Sequence, residues 1–237
     1  MTLVIGIRTN RGPDCVILAS DRQFSEIDEE KKLEYKRPIR KVYYGETWAM
    51  GDAGGGYSDV RKFYHALRQT RDGGTGVIAR ALKQGIFEEV LSLNRNLTRR
   101  DGVTFADTHS FVLATRKPRV ALRLVDEFGN IKSASKENDF EYICVGNGDE
   151  AAEGCIEQQL ATESIDRDNI SADVAIGVAL NAVFAASRLA SVGLGYDLVI
   201  MEKNSLIDWG AKNNKALKRA QSSQIREMTE HYKRLNR

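Results

Sequence analysis

Thr2 stands directly after Met1, and a threonine in that place carries a latent chemistry. A threonine hydroxyl is a weak nucleophile at neutral pH and needs a base beside it; the free α-amine of the same residue can be that base, often through a water molecule. Only an N-terminal threonine has such an amine. Methionine aminopeptidases generally remove Met1 before a residue as small as threonine, so the expectation is a mature chain that begins at Thr2. Taken alone, an ordinary penultimate threonine is the commoner case, and a chemical role needs support from elsewhere in the chain.

Other residues that could do chemistry give weaker patterns. The run Gly51-Asp52-Ala53-Gly54-Gly55-Gly56 precedes a helical pattern and offers main-chain N–H groups of the kind that bind phosphate. It has no GxxxxGK[ST] spacing and no lysine close behind, so it is not read as a nucleotide loop. His65, His109 and His231 are scattered, and Cys15, Cys144 and Cys155 have neither metal-ligand nor CxxC spacing. No metal and no cofactor is expected. Cys15 and Cys144 lie in apolar, strand-like stretches and read as core thiols in a reducing compartment.

The elements that must position these residues follow from hydrophobic periodicity. Residues 3–7 and 15–20 are short β-type runs joined by a loop with Asn10, Gly12, Pro13 and Asp14, which reads as a hairpin. Residues 26–37 are dense in charge and are expected to be a solvated excursion before a second hairpin, 39–44 and 47–50. Val60, Phe63, Tyr64 and Leu67 then recur at helical spacing, and Ile78, Leu82, Ile86, Val90, Leu93 and Leu97 continue the pattern. Strands return at 110–115, 120–125 and 142–145, with a turn at 126–130. Helical patterns over 150–161 and 172–189 lead to a strand at 196–201, and a final helix is predicted from about Trp209. This order is neither the strict alternation of a doubly wound fold nor an all-β pattern; it fits a layered α+β fold.

With 42% hydrophobic residues, a chain of 237 residues can bury one sizeable core. We expect one main domain over 1–203 and a basic, helical extension over 204–237. Thirty-five basic against 33 acidic residues leave a formal charge of +2, which gives no global attraction to nucleic acid or an anionic membrane. No secretory signal pattern is present and no apolar run approaches the ~18 residues of a membrane span, so a soluble, cytoplasmic protein is expected. The extension carries Ile225, Met228, Tyr232 and Leu235 on one side, which favours packing over nucleic-acid binding.

Several short motifs now acquire a joint meaning. Thr2-Leu3-Val4-Ile5-Gly6-Ile7, Ala19-Ser20-Asp21-Arg22, Arg40-Lys41-Val42, Met50-Gly51-Asp52-Ala53-Gly54, Val125-Asp126 with Gly129, Val145-Gly146-Asn147-Gly148 and Gly193-Leu194-Gly195-Tyr196-Asp197-Leu198-Val199-Ile200 come in an order and spacing that resemble a proteasome β subunit or HslV. The resemblance covers about residues 2–203. It implies a four-layer αββα sandwich of the N-terminal-nucleophile (Ntn) hydrolase type and a threonine endopeptidase that acts through a Thr2 acyl-enzyme. It also implies that Lys41 is the lysine that keeps the α-amine neutral, that Asp21 is the carboxylate paired with it, and that the Gly51 N–H meets the developing oxyanion. By the same resemblance the main chain at Ser25 pairs with an extended substrate strand. Asn147 and Ser191 are expected around the nucleophile.

The sequence departs from the family at this outer layer. Asn147 stands where the family has a serine, and Leu189 and Val192 fall where it has an aspartate and a serine; a small shift of register brings Ser187 or Ser191 into place. The expected substrates are unfolded proteins or peptides, and the expected assembly is a homo-oligomeric ring with an ATPase as a possible partner. Two alternatives share these residues: a non-catalytic ring subunit, and a transpeptidase or protein ligase in which an incoming amine, not water, takes the acyl group.

Overall fold

A computed structural model describes residues 3–9, 12, 14–28, 33–54, 67, 76–78, 80–85, 110–126, 129–133, 141–162, 165, 167, 170–188 and 195–209, with only the main chain described over 23–38. The chain opens with β1 (Leu3–Arg8) and β2 (Cys15–Asp21), then β3 (Gln23–Asp28) and β4 (Leu33–Pro38). β5 (Val42–Tyr44), β6 (Trp48–Ala53), β7 (Ser110–Thr115), β8 (Ala121–Val125), β9 (Ile131–Ser133) and β10 (Glu141–Gly146) come next. Two helices, α1 (Asp149–Thr162) and α2 (Ala172–Ala186), precede β11 (Tyr196–Glu202) and β12 (Leu206–Asp208).

The strands form two antiparallel five-stranded sheets, ordered β10-β1-β2-β11-β12 and β5-β6-β7-β8-β9, and a separate two-stranded sheet of β3 and β4. Alternation of side chains along each strand sets the layers. In β1 and β2, Leu3, Ile5, Ile7, Cys15, Ile17 and Ala19 face α1 and α2, while Val4, Val16 and Leu18 face the second sheet. The helices answer at helical spacing: Ala152, Ile156 and Leu160 of α1, and Ala175, Val178, Ala179, Ala182, Val183 and Ala186 of α2, are buried against the first sheet. Ser171 caps α2 by accepting from the Val174 N–H at 3.4 Å. On the far side, Leu67, Ile78 and Leu82 from helical residues pack on Trp48, Met50, Phe111, Leu113 and Val125 of the second sheet. Helices, sheet, sheet, helical residues: the architecture is the four-layer αββα sandwich that the sequence led us to expect.

The structure departs from the sequence expectations at several points. Residues 26–28 and 33–37, part of the stretch read as a solvated excursion, lie in β3 and β4, which pair antiparallel from Gln23 opposite Pro38 to Asp28 opposite Leu33. Main-chain bonding drives this pairing whatever the charge of the side chains. The Ile39 N–H donates to the Arg22 C=O at 2.8 Å and fixes the phase, so that Pro38, which has no N–H, falls where none is needed. Strand β5 begins at Val42, not Ile39. A short edge strand, β9, follows the 126–130 turn, and the first sheet continues past residue 203 through β12.

Cys15 and Cys144 are buried free thiols. No helix among the described residues is long and apolar enough to cross a membrane. The predicted final helix past Trp209, the predicted helical residues 86–97 and the predicted helical positions Val60, Phe63 and Tyr64 lie outside the described residues.

Candidate active site

Strand β1, an inner strand of the first sheet, starts at Leu3, and the buried charges of Asp21, Lys41 and Asp197 collect near that end. The Leu3 N–H donates to Asp21 Oδ1 at 2.9 Å, and Lys41 Nζ reaches the same oxygen at 2.7 Å. Asp21 is the last residue of β2 and is fully buried, and Lys41 precedes β5 and is nearly so. The structure thus brings together two of the residues singled out by resemblance and ties both to the residue that follows Thr2. Thr2 itself lies outside the described residues.

Burial pushes the Lys41 ammonium below its ordinary range, opposed first by the charge of Asp21 and its hydrogen bond, then by Asp52 and Asp197.

Lys41 is held as firmly by its main chain. Its N–H donates to Asp197 Oδ2 at 2.6 Å, the Val42 N–H shares that oxygen at 3.4 Å, and the Lys41 C=O accepts from the Asp52 N–H at 3.1 Å. Arg40 Nε donates to the Val42 C=O at 2.6 Å, and Tyr43 Oη donates to the Arg40 C=O at 2.8 Å. Arg40 also binds Asp208 of β12 at 2.7 Å and lies over the Tyr44 ring, whose hydroxyl donates to Asp208 at 3.0 Å. Asp197 was not assigned a role by sequence reading. The available signal was its phase: it alternates with Val199 and Met201, which face the second sheet, so a carboxylate at 197 belongs to an apolar face.

Gly51 sits in β6, opposite Val42 on one side and Val112 on the other. A Cβ built there would stand 2.3 Å from Val4 Cγ1, so glycine is required for the two sheets to close beside the start of β1. The Asp52 N–H bond to Lys41 and the Arg116 N–H bond to the Thr47 C=O set the phase of the β6 ladder. That phase turns the Gly51 N–H toward Val112, and a share in oxyanion stabilisation requires its release from the ladder.

Ser25 lies on β3 opposite Lys36, and the phase set by Ile39 and Arg22 turns its N–H and C=O away from β4. Asn147 is exposed in the turn between β10 and α1; its neighbour Gly146 pairs with Leu3, which places this turn beside the start of β1. Ser187 caps the end of α2, its hydroxyl donating to the Phe184 C=O at 2.7 Å. Ser191, Leu189 and Val192 lie outside the described residues.

Two solved structures have this arrangement of layers. Anbu from Hyphomicrobium sp. strain MC1, in its Gly-1 mutant form, matches at a TM-score of 0.64 and 15% identity over 98% of this chain and 100% of that one. A second structure of Anbu from the same strain matches at 0.63 and 16%, over 96% and 97%. The fold is a proteasome-like Ntn-hydrolase fold. At such identities the likeness speaks for the fold alone. No protein-family model matches the chain, and no curated protein does. Within this proteasome-like fold, the Asp21–Lys41 pair lies beside the start of the first strand, an inner strand of its sheet.

Proposed function

We propose that the chain is a threonine peptidase whose nucleophile is Thr2 once Met1 has been removed. The observation that carries the reading is the buried Asp21 carboxylate, which receives both the Lys41 ammonium at 2.7 Å and the N–H of Leu3, the residue next to Thr2, at 2.9 Å. A cation fixed beside an N-terminal amine lowers the amine's affinity for a proton and favours the neutral base. The base then takes the hydroxyl proton, directly or through water, as Thr2 Oγ attacks a peptide carbonyl carbon. The C–N bond breaks, the leaving amine takes that proton, and an ester remains on Thr2. Water hydrolyses the ester and restores the hydroxyl. Main-chain groups at Ser25 that point away from β4 suit an extended polypeptide, which they would bind as an added strand.

Intact-protein mass spectrometry tests this reading, before and after treatment with an epoxyketone directed at N-terminal threonine. The expected result is loss of Met1 and a single covalent adduct that Thr2→Ala abolishes. Retained Met1, or a free Thr2 that never labels, would overturn it. If labelling succeeds, supplying a peptide amine during turnover of a peptide substrate separates hydrolysis from transfer to that amine.

A further inference from the structure

The carboxylate of Asp197 is buried on the face between the two sheets, where its neighbours in phase, Val199 and Met201, are apolar. Such a charge is costly to keep unless it is paired and hydrogen-bonded. Its Oδ2 accepts from the Lys41 N–H at 2.6 Å and the Val42 N–H at 3.4 Å, while Oδ1 stands 3.3 Å from Arg22 Nε. These contacts cross from β11 of the first sheet to the segment that leads into β5 of the second.

The Lys41 side chain crosses back in the opposite direction, to Asp21 at the end of β2. Strands β2 and β11 are neighbours, paired from Cys15 with Glu202 to Asp21 with Tyr196. Lys41 is therefore gripped at its main chain by one strand and at its ammonium by the adjacent strand of the same sheet. Strand β1 pairs with β2 on the other side. The ammonium's distance to the start of β1 is thus set by two adjacent strands of the first sheet acting on a residue that the second sheet also holds, through the Asp52 N–H bond to the Lys41 C=O.

We propose that Asp197 is a positioning residue for Lys41, and that its grip on the Lys41 and Val42 N–H groups determines where the ammonium stands relative to Asp21 and the first residues of β1. The effect on reaction rate rests on the reading of Thr2 as nucleophile; the effect on Lys41 does not.

The test compares wild type with Asp197→Ala and Asp197→Asn in two readouts, after circular dichroism has established that each variant folds. The first is the pH titration of the Lys41 ε-methylene in 13C-lysine-labelled protein, assigned by its absence from Lys41→Met, which requires no activity. The second is the rate of epoxyketone labelling at Thr2 as a function of pH. In Asp197→Ala the Lys41 titration moves, and labelling slows by roughly a hundredfold, the scale of an ångström-sized misplacement. Its pH profile shifts upward, because an amine without a well-placed cation keeps its proton to higher pH. Asp197→Asn keeps an acceptor for the N–H groups and recovers part of the rate, while its lost charge still shifts the Lys41 titration.

A Lys41 titration identical to wild type in both variants would overturn the proposal, whatever labelling does. If Asp197→Ala does not fold, Asp197→Asn decides in the same way. Wild-type protein that never labels overturns the Thr2 reading instead, and the Lys41 titration then judges Asp197 by itself.

Discussion

The two ends of β1 treat charge in opposite ways. At its start, Lys41 and Asp21 meet at 2.7 Å with side chains 4% and 0% exposed. At its finish, Arg8 meets Asp14 at 3.0 Å with side chains 29% and 45% exposed, and Glu141 at 3.2 Å. Both join a basic and an acidic side chain at hydrogen-bonding distance, and they differ most in exposure to solvent. Water supports the outer pair whether or not it forms, so that pair contributes little. The inner pair is buried, where losing a partner costs far more, and replacing both by apolar groups would often leave a fold no less stable. Stability alone therefore does not account for the buried pair, and its place beside Leu3 fits the role proposed for it above.

Substitutions at the two ends of β1 should differ widely in their effect. The largest effect is expected for Lys41→Met, which leaves the buried Asp21 without its cation and should destabilise the fold by about 3–5 kcal/mol in chemical denaturation. Adding Asp21→Asn should return a large part of that loss, and a double variant as unstable as Lys41→Met would count against charge as the cause. Next comes Gly51→Ala, whose methyl meets Val4 at the same end of β1. It should cost about 1–3 kcal/mol by overpacking, and thermal melting should show partial rescue by Val4→Ala.

A smaller effect concerns pH. Burial raises the Asp197 carboxyl above its ordinary value of 3.8, against its bonds to Lys41 and Val42 and the charges of Arg22 and Arg40. The folded state then holds that proton more tightly than the unfolded chain, so this group's contribution is full below 3.8 and is lost as pH rises through the folded value. Melting temperatures of wild type and Asp197→Asn at stepped pH should show wild type losing ground over that rise. The smallest effect is at the outer end: Arg8→Ala should change stability by no more than ~1 kcal/mol, and salt should shrink the difference further.

The strands and helices of the sandwich were legible as short apolar runs and helical spacing, but their stacking in four layers was read from the resemblance: Leu3-Val4-Ile5-Gly6-Ile7 is apolar on both faces and does not say what covers each. The hairpin of β3 and β4 was not legible, because its ladder is made of main-chain bonds and its sequence is rich in charge. At the site, Asp21 and Lys41 were found through short motifs, since neither reveals burial by type. Gly51 was read for its N–H, whereas the structure gives it a steric reason that only the facing Val4 discloses. Asp197 was missed because its partners are main-chain N–H groups more than 150 residues earlier in the chain, which no local pattern encodes.

That last contact has a consequence for how the chain can change over evolutionary time. A carboxylate that grips main-chain N–H groups is indifferent to the side chain at position 42, so that letter can drift among residues that fill the same space. It is not indifferent to count. An insertion or deletion between Ile39 and Val42 would present the wrong N–H to Asp197 and swing the lysine off Asp21. Relatives that share this device should therefore differ freely in the length of the β3–β4 turn and hold the spacing of the next few residues constant.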